Sequence, residues 1–182
     1  MRHLIIGGAR SGKSALAETL ARRSGQPVTY IATAEPGDGE MARRIAHHRA
    51  RRPADWSTVE APLRLAAALA AQDAPGRTLV VDCLTLWISN LITGGRADEA
   101  VPDLERFEAE RKSLLDLLPG LAGEVVLVAN EVGSGIVPMG RLSRVFADEA
   151  GRLNQEVAAL CERVTLVVAG QPLTLKAPAP NR

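Results

Sequence analysis

The residues Gly7 to Ser14 fit a loop that binds the phosphates of a nucleotide. Their sequence, Gly-Gly-Ala-Arg-Ser-Gly-Lys-Ser, matches the pattern G-x-x-x-x-G-K-[ST] at every fixed position. Glycines let backbone N–H groups curl around phosphate oxygens, Lys13 reaches the β- and γ-phosphates, and the Ser14 hydroxyl can ligate Mg²⁺. The sequence therefore predicts a site for a nucleoside triphosphate formed by Gly7, Gly8, Ala9, Arg10, Ser11, Gly12, Lys13 and Ser14.

A carboxylate at the end of a neighbouring strand is the second part of such a site. Asp82 closes the β-branched run Thr78–Asp82 and is the main candidate for holding Mg²⁺ or its water shell. An aspartate in this position can instead cap the helix that follows it. Glu131, which follows the apolar run Val125–Ala129, is the rival acid. Both acids should lie at the carboxyl edge of a parallel sheet, where ligands bind in open α/β folds.

The same strand ends disfavour a regulatory GTPase. Such a protein would carry an Asp-x-x-Gly switch and an Asn-Lys-x-Asp segment that recognises guanine. Here the strand ends read Asp82-Cys83-Leu84-Thr85 and Asn130-Glu131-Val132-Gly133, so neither pattern is present.

Two adjacent histidines, His47 and His48, lie in the basic, helix-favouring segment Glu40–Arg51. On a helix, Arg44, His47 and Arg51 would share one face. Nearby cations disfavour the imidazolium form, so they favour the neutral histidine that acts as a nucleophile, and they can also hold phosphates. The alternative is a solvated basic face without a chemical role, and the residues alone leave both interpretations open.

Short apolar runs alternate with longer amphipathic segments along the chain, and these elements must position the candidate residues. Such alternation, with the phosphate loop between the first two elements, predicts a P-loop NTPase-type three-layer α/β fold, a mostly parallel central sheet with helices on both faces. We expect a single domain over residues 1–176 and a flexible tail over 177–182. Strands are predicted at His3–Ile6, Val28–Ala32, Trp56–Glu60, Thr78–Asp82, Val125–Ala129, Val164–Ala169 and Leu173–Leu175, and helices at Lys13–Arg23, Glu40–Arg51, Leu63–Ala71, Leu84–Leu91, Leu104–Leu118 and Leu142–Leu160.

Composition narrows the functional classes. The 182 residues, 46% hydrophobic and 24% charged with a net charge of +1, are typical of a globular domain and give no reason to expect binding to nucleic acid or insertion into a membrane. Aromatic residues make up 3% of the chain, too few for a base-stacking platform. Cys83 and Cys161 form no C-x-x-C pair, so neither a cysteine zinc site nor a disulfide framework is expected. We expect a cytoplasmic protein.

Further blocks accompany the phosphate loop in a fixed order, from Ile5 to Lys176. The blocks are Tyr30–Ala34, Glu40–Arg49, Trp56–Glu60, Val81–Trp87, Asn130–Pro138 and Gly151–Gln155. The phosphate loop alone occurs in many families, whereas this combination is specific. Together the blocks resemble the bifunctional adenosylcobinamide kinase/adenosylcobinamide-phosphate guanylyltransferase family of cobalamin assembly.

The resemblance implies two reactions at one nucleotide site. The terminal phosphoryl group of ATP or GTP passes to the aminopropanol hydroxyl of adenosylcobinamide. A histidine then attacks the α-phosphate of GTP, and the GMP–histidine adduct transfers GMP to adenosylcobinamide phosphate to give adenosylcobinamide-GDP. By position in its block, the guanylylated histidine is His47, with His48 as the second candidate. The family also suggests a homo-oligomer, in the form of a homotrimer.

The resemblance also assigns site residues. Lys13 and His47 are then catalytic, and Ser14 and Asp82 support Mg²⁺. Less specialised roles remain open: Thr33 can cap a helix, Arg51 can be a solvated charge, and Glu60 can be a surface carboxylate. The nucleotide contacts outside the phosphate loop fall on Thr33, Ala34, Glu35, His48, Arg49, Ala50, Arg51, Glu60 and Asp82.

Two other functions remain open from the residues. The first is a monofunctional P-loop kinase of another small hydroxylated metabolite, in which the histidines only bind phosphate. The second is a nucleotide-dependent regulatory or assembly module without group transfer.

Overall fold

The computed structural model describes residues 1–35, 53–93 and 102–178 of the chain. Every strand and helix predicted within these ranges is present, with ends shifted by at most two residues, whereas the helix predicted at Glu40–Arg51 lies outside the described residues. The strands are β1 (Arg2–Gly7), β2 (Val28–Ala32), β3 (Ser57–Glu60), β4 (Thr78–Asp82), β5 (Glu124–Asn130), β6 (Arg163–Val168) and β7 (Gln171–Lys176). The helices are α1 (Lys13–Arg23), α2 (Leu65–Gln72), α3 (Leu84–Thr93), α4 (Leu104–Leu117) and α5 (Arg141–Leu160), and a 3₁₀ turn covers Leu118–Gly120.

The seven strands form one sheet in the order β3-β2-β4-β5-β1-β6-β7. The first six strands in the chain run parallel, and β7 pairs antiparallel with β6 at one edge. Central strands such as β4 and β5 are continuous apolar runs because a parallel sheet is covered on both faces. The carboxyl ends of all six parallel strands consequently meet at one edge of the sheet.

Two hydrophobic cores lie on opposite faces of the sheet, as the three-layer prediction requires. Leu4 and Leu79 point towards the larger core, which contains side chains of α2, α3, α4 and α5. Ile5 and Val80, one residue further along the same strands, point towards the smaller core against α1. Ala17, on the packed face of α1, is small enough to let this helix approach the sheet closely. The approach holds the first turn of α1 over the carboxyl edge.

The end of β7 is bound to α5. The Lys176 ammonium at the end of β7 donates to the carbonyls of Ala158 and Ala159, at 2.9 and 3.0 Å, in the last turn of that helix. The flexible tail expected at 177–182 stays a prediction, since its last four residues lie outside the described ranges. Among the described residues, no helix combines the length and the apolar character needed to cross a bilayer.

Candidate nucleotide-binding site

The phosphate loop has the tight shape that its glycines predict. Gly12 takes the left-handed φ of 100°, and Arg10 also lies in the left-handed region with φ 56°. A Cβ on Gly7 would lie 2.5 Å from the carbonyl oxygen of Val167 in β6, which no real side chain tolerates. Glycine is thus required at Gly7 for space and at Gly12 for backbone conformation.

The first turn of α1 offers its backbone amides to an anion. Gly12 precedes the helix and has no side chain to cap it, and no acidic residue lies in the first turn. The regular ladder begins with the Leu16 N–H on the Gly12 carbonyl at 3.0 Å. Uncapped amides and the helix dipole favour a phosphate at this position.

Lys13 lies against its own loop. Its ammonium donates to the Gly8 carbonyl at 3.0 Å, and the residue is 8% exposed. Burial lowers the pKa of this ammonium, and the nearby Cys83 and Asp82 oppose that shift. The ammonium is therefore a positive charge in a partly desolvated environment, where its attraction to an anion is stronger than in water. It can exchange the Gly8 carbonyl for phosphate oxygens.

Asp82 ends β4 at the same edge, and the Tyr30 hydroxyl donates to its Oδ2 at 2.5 Å. The chain enters α3 directly after Cys83, the residue that follows Asp82, and the Cys83 carbonyl accepts from the Trp87 N–H at 3.2 Å. Sequence reasoning did not assign Tyr30 a role, although it is the only tyrosine in the chain.

Glu131, the rival acid, is engaged in its own turn. Its Oε1 accepts hydrogen bonds from the Gly133 N–H at 2.7 Å and the Ser134 hydroxyl at 3.3 Å. Its backbone N–H donates to the Gly7 carbonyl at 3.0 Å, which extends the β1–β5 ladder to the start of the phosphate loop. Glu131 thus stabilises the strand that carries the loop.

Thr33 is buried where β2 ends. Its hydroxyl donates to the Cys83 carbonyl at 2.7 Å and accepts from the Cys83 N–H at 2.8 Å, and the residue is 0% exposed. Its backbone N–H donates to the Asp82 carbonyl at 3.3 Å. The polar atoms of Thr33 therefore bind the end of β4, while Ala34 is half-buried and Glu35 is exposed at the edge beyond it.

A hairpin supports the phosphate loop from the other side. The Gly170 N–H, in the turn between β6 and β7, donates to the Ser11 carbonyl at 2.8 Å. Ala169 and Gly170 both have positive φ, 50° and 77°, as expected for a two-residue turn between antiparallel strands. No short motif marks this contact, because its partners come from opposite ends of the chain.

The sheet brings the described candidate residues to one edge, at increasing distances from the phosphate loop. With about 4.8 Å between neighbouring strands, the end of β4 with Asp82 lies roughly 10 Å from the end of β1, and Glu60 of β3 lies roughly 19 Å away. His47, His48, Arg49, Ala50 and Arg51 lie outside the described residues.

The donor chemistry at this edge suits a hard divalent cation. The Ser14 hydroxyl and the Asp82 carboxylate supply oxygen ligands, which Mg²⁺ prefers. Within the described ranges, no three His, Cys, Asp or Glu side chains gather around a common point. A Mg²⁺ ion here would therefore take most of its ligands from nucleotide phosphates and water, its usual mode of binding.

Comparisons with known proteins match nearly the whole chain. Bifunctional adenosylcobalamin biosynthesis protein CobP of Pseudomonas aeruginosa is 57% identical over 176 residues, which cover 97% of this chain and 98% of the relative. Its Escherichia coli counterpart CobU is 44% identical over 182 residues, covering 97% and 100%. The solved structure of PH0250 from Pyrococcus horikoshii shares the fold, with a TM-score of 0.58 at 8% identity over 98% of this chain and 87% of that chain.

The family model described as cobinamide kinase/cobinamide phosphate guanyltransferase matches residues 3–175. These residues include the phosphate loop, Asp82 and all or nearly all of each strand of the sheet. With this match and relatives of 57% and 44% identity, the chain belongs to the cobinamide kinase/cobinamide phosphate guanyltransferase family.

Proposed function

We propose that this protein phosphorylates adenosylcobinamide with ATP or GTP and then transfers GMP from GTP, through a covalent GMP–His47 adduct, to give adenosylcobinamide-GDP. The observation that carries the proposal is a formed phosphate loop at the sheet edge that also carries the Asp82 carboxylate, in a chain that the family model matches from residue 3 to residue 175. The names of the two relatives, both bifunctional adenosylcobalamin biosynthesis proteins, support it.

Phosphoryl transfer needs positioning and neutralisation of charge more than covalent chemistry. The amides of the phosphate loop and the first turn of α1 would hold the β- and γ-phosphates, and Lys13 would leave the Gly8 carbonyl to bind them. Ser14 and Asp82 would hold the cation, directly or through water. When bound there, Mg²⁺ neutralises charge that develops on the phosphate oxygens. The bond between the γ-phosphorus and the oxygen of the β-phosphate breaks as a bond to the aminopropanol oxygen forms. The nucleoside diphosphate leaves, and the hydroxyl proton passes to water.

Guanylyl transfer needs a nucleophile in addition. A neutral imidazole nitrogen of His47 attacks the α-phosphorus of GTP, a P–N bond forms, and pyrophosphate leaves. The phosphate of adenosylcobinamide phosphate then attacks the same phosphorus, the P–N bond breaks, and neutral His47 is restored. His48, Arg49, Ala50 and Arg51 are proposed to contact the nucleotide during this step.

The length of the edge supports two reactions in one site. The phosphate loop lies at β1, Asp82 at β4, and Thr33–Glu35 and Glu60 lie further along the same edge. We propose that Ala34, Glu35 and Glu60 contact the parts of the bound substrates that lie beyond the γ-phosphate. Thr33 would act through Asp82, since its polar atoms already bind the end of β4. The resemblance alone supports our further proposal of a homo-oligomer.

The test is to incubate the protein with Mg²⁺ and GTP labelled at the α-phosphate, and to map any adduct by peptide mass spectrometry. We expect an acid-labile GMP adduct on His47. In His47→Asn, adduct formation should fall by more than about 10³-fold while phosphorylation of adenosylcobinamide continues, because only the second reaction uses this nucleophile. His48→Asn removes the second candidate nucleophile, and this variant should still form the adduct on His47.

Lys13→Ala should lose both activities, because both need the bound triphosphate. Full kinase activity in that variant would contradict a shared nucleotide site. An adduct that persists in His47→Asn would make the histidine assignment wrong. Phosphoryl transfer without any GMP adduct on the unaltered protein would favour the alternative, a monofunctional P-loop kinase.

A further inference from the structure

The carboxylate of Asp82 is held by a residue from a different strand. Tyr30 lies in the middle of β2, opposite Val80 of β4, and Asp82 follows two residues later on the same face of the sheet. The phenol ring is packed in the core beneath α1 and is 2% exposed. Its hydroxyl reaches along the strand and donates to Asp82 Oδ2 at 2.5 Å. One carboxylate oxygen is consequently anchored from the protein interior.

The main chain around Asp82 is anchored to the end of β2, the strand that carries Tyr30. The Thr33 hydroxyl both donates to and accepts from the main chain of Cys83, and the Thr33 N–H donates to the Asp82 carbonyl. The Asn90 amide of α3 in turn donates to the Thr33 carbonyl at 2.8 Å. These hydrogen bonds fix the backbone at Asp82 and Cys83, so the Asp82 carboxylate can move only by rotation about its side-chain bonds. The hydrogen bond from Tyr30 restricts that rotation.

Among the ion pairs of the described residues, none joins Asp82 to Lys13, the cation whose pKa its charge affects. Lys13 is bound to the Gly8 carbonyl and Asp82 to Tyr30. The Lys13 ammonium can therefore donate further hydrogen bonds, and the Asp82 carboxylate can accept further ones. A carboxylate whose one oxygen accepts from a phenol still has lone pairs on both oxygens to receive hydrogen bonds from metal-bound water.

We propose that Tyr30 is a positioning residue that orients the Asp82 carboxylate towards the Mg²⁺–nucleotide complex. The inference rests on the proposed function in one respect, the assignment of Asp82 as the carboxylate that supports the cation. Partners that orient a metal-supporting carboxylate typically contribute 10–100-fold to metal affinity. Tyr30 should therefore affect how strongly Mg²⁺ tightens nucleotide binding, and leave binding without the cation unchanged.

The test compares Tyr30→Phe with the unaltered chain by calorimetric titration of the α,β-methylene analogue of GTP, which cannot release pyrophosphate. Each protein is titrated once in excess EDTA and once in Mg²⁺, and the ratio of the two dissociation constants is the magnesium factor. In Tyr30→Phe we expect the magnesium factor to fall about tenfold or more, with the dissociation constant in EDTA unchanged.

Two further variants separate positioning from general loss of stability. Thr165→Val removes another buried hydroxyl of the same sheet, the one bonded to His3 at 2.8 Å, and should keep the full magnesium factor. Asp82→Asn should lower the magnesium factor itself, and adding Tyr30→Phe to it should cause no further loss, because the phenol acts through the carboxylate.

An unchanged magnesium factor in folded Tyr30→Phe, or a loss that simply adds to that of Asp82→Asn, would overturn the inference. If those results occur while the unaltered protein binds the analogue and forms its GMP adduct, the proposed function stands and only the role of Tyr30 is wrong. An unaltered protein that binds no analogue with or without Mg²⁺ would overturn both.

Discussion

Lys13 and Asp82 are two opposite charges that each have a neutral partner and are not paired with each other. The ammonium binds a carbonyl of its own loop, and the carboxylate accepts from a neutral phenol. Had they formed a buried ion pair, the arriving phosphates and cation would have to break it at considerable cost. The arrangement instead keeps a cation and an anion near each other at one edge, which suits a ligand that is itself an anion carrying a divalent cation.

His3 should make stability depend on pH. It is buried in β1 with its Nε2 2.8 Å from the Thr165 hydroxyl, and burial, with Arg163 nearby, lowers its pKa. Below about pH 6.5 the unfolded chain then binds a proton that the folded chain resists, so stability falls as the pH drops. Between pH 7 and pH 5, we expect the free energy of unfolding to fall more in the unaltered protein than in His3→Gln, because only the unaltered protein carries the buried imidazole. Urea titrations at both pH values measure the difference, and parallel pH profiles would contradict the prediction.

Local chemistry could be predicted from the sequence, whereas contacts between strands could not. The phosphate loop could be assigned because its eight residues are contiguous and each type has a chemical reason. Tyr30 and Thr33 act on partners 52 and 50 residues away. Those contacts depend on the register that places Tyr30 opposite Val80, and no pattern within either strand specifies it.

At the scale of elements, Gly7 and Gly8, the first two glycines of the turn from β1 into α1, should differ in how well they tolerate a side chain. An added Cβ on Gly7 would meet the Val167 carbonyl at 2.5 Å, whereas one on Gly8 would have nothing within 4 Å. Gly7→Ala should therefore lower the free energy of unfolding by about 1–3 kcal/mol, as overpacking does. Gly8→Ala is the matched control and should stay within about 0.5 kcal/mol of the unaltered protein. Chemical denaturation of both variants measures this, and equal losses would show that the close approach to β6 does not constrain the loop.

Element ends differ from the prediction where distant residues determine them. The sequence predicts that α4 continues through Leu118, but the helix ends at Leu117 and the chain forms a 3₁₀ turn at Leu118–Gly120. There the Arg2 guanidinium donates to the Leu118 carbonyl at 2.9 Å. The strand expected to end at Ala169 ends at Val168, because Ala169 takes the positive φ of the hairpin turn. Both differences arise from tertiary structure.

For the whole molecule, alternation of apolar runs and helices was enough to predict a parallel sheet covered on both faces. The order of the strands was not predictable in the same way. Placing β5 between β1 and β4 depends on how the crossovers pack, and this order sets the distance between the phosphate loop and Asp82. The residue types at the site were thus accessible from the sequence, but their separation was not.

The two cysteines lie at opposite edges of the sheet and can report where the molecule opens. Cys83 follows β4 at the carboxyl edge, and Cys161 precedes β6 at the amino edge. Burial raises the pKa of each thiol to about 12, with Asp82 adding to the shift at Cys83 and Glu162 at Cys161. At pH 8 only about one thiol in 10⁴ would be ionised, so labelling of the folded state should be negligible.

Reaction of these thiols with a disulfide reagent should therefore follow opening of the structure. In the single-cysteine variants Cys83→Ala and Cys161→Ala, we expect slow labelling at pH 8 that becomes fast in urea. A bound nucleotide with Mg²⁺ stabilises what it contacts, so it should slow labelling of Cys83, beside the site, more than that of Cys161. Equal slowing of the two would mean that each is exposed only by global unfolding. Rapid labelling of either in the folded protein would contradict its burial, and with it the packing of β4 or α5 on which that burial depends.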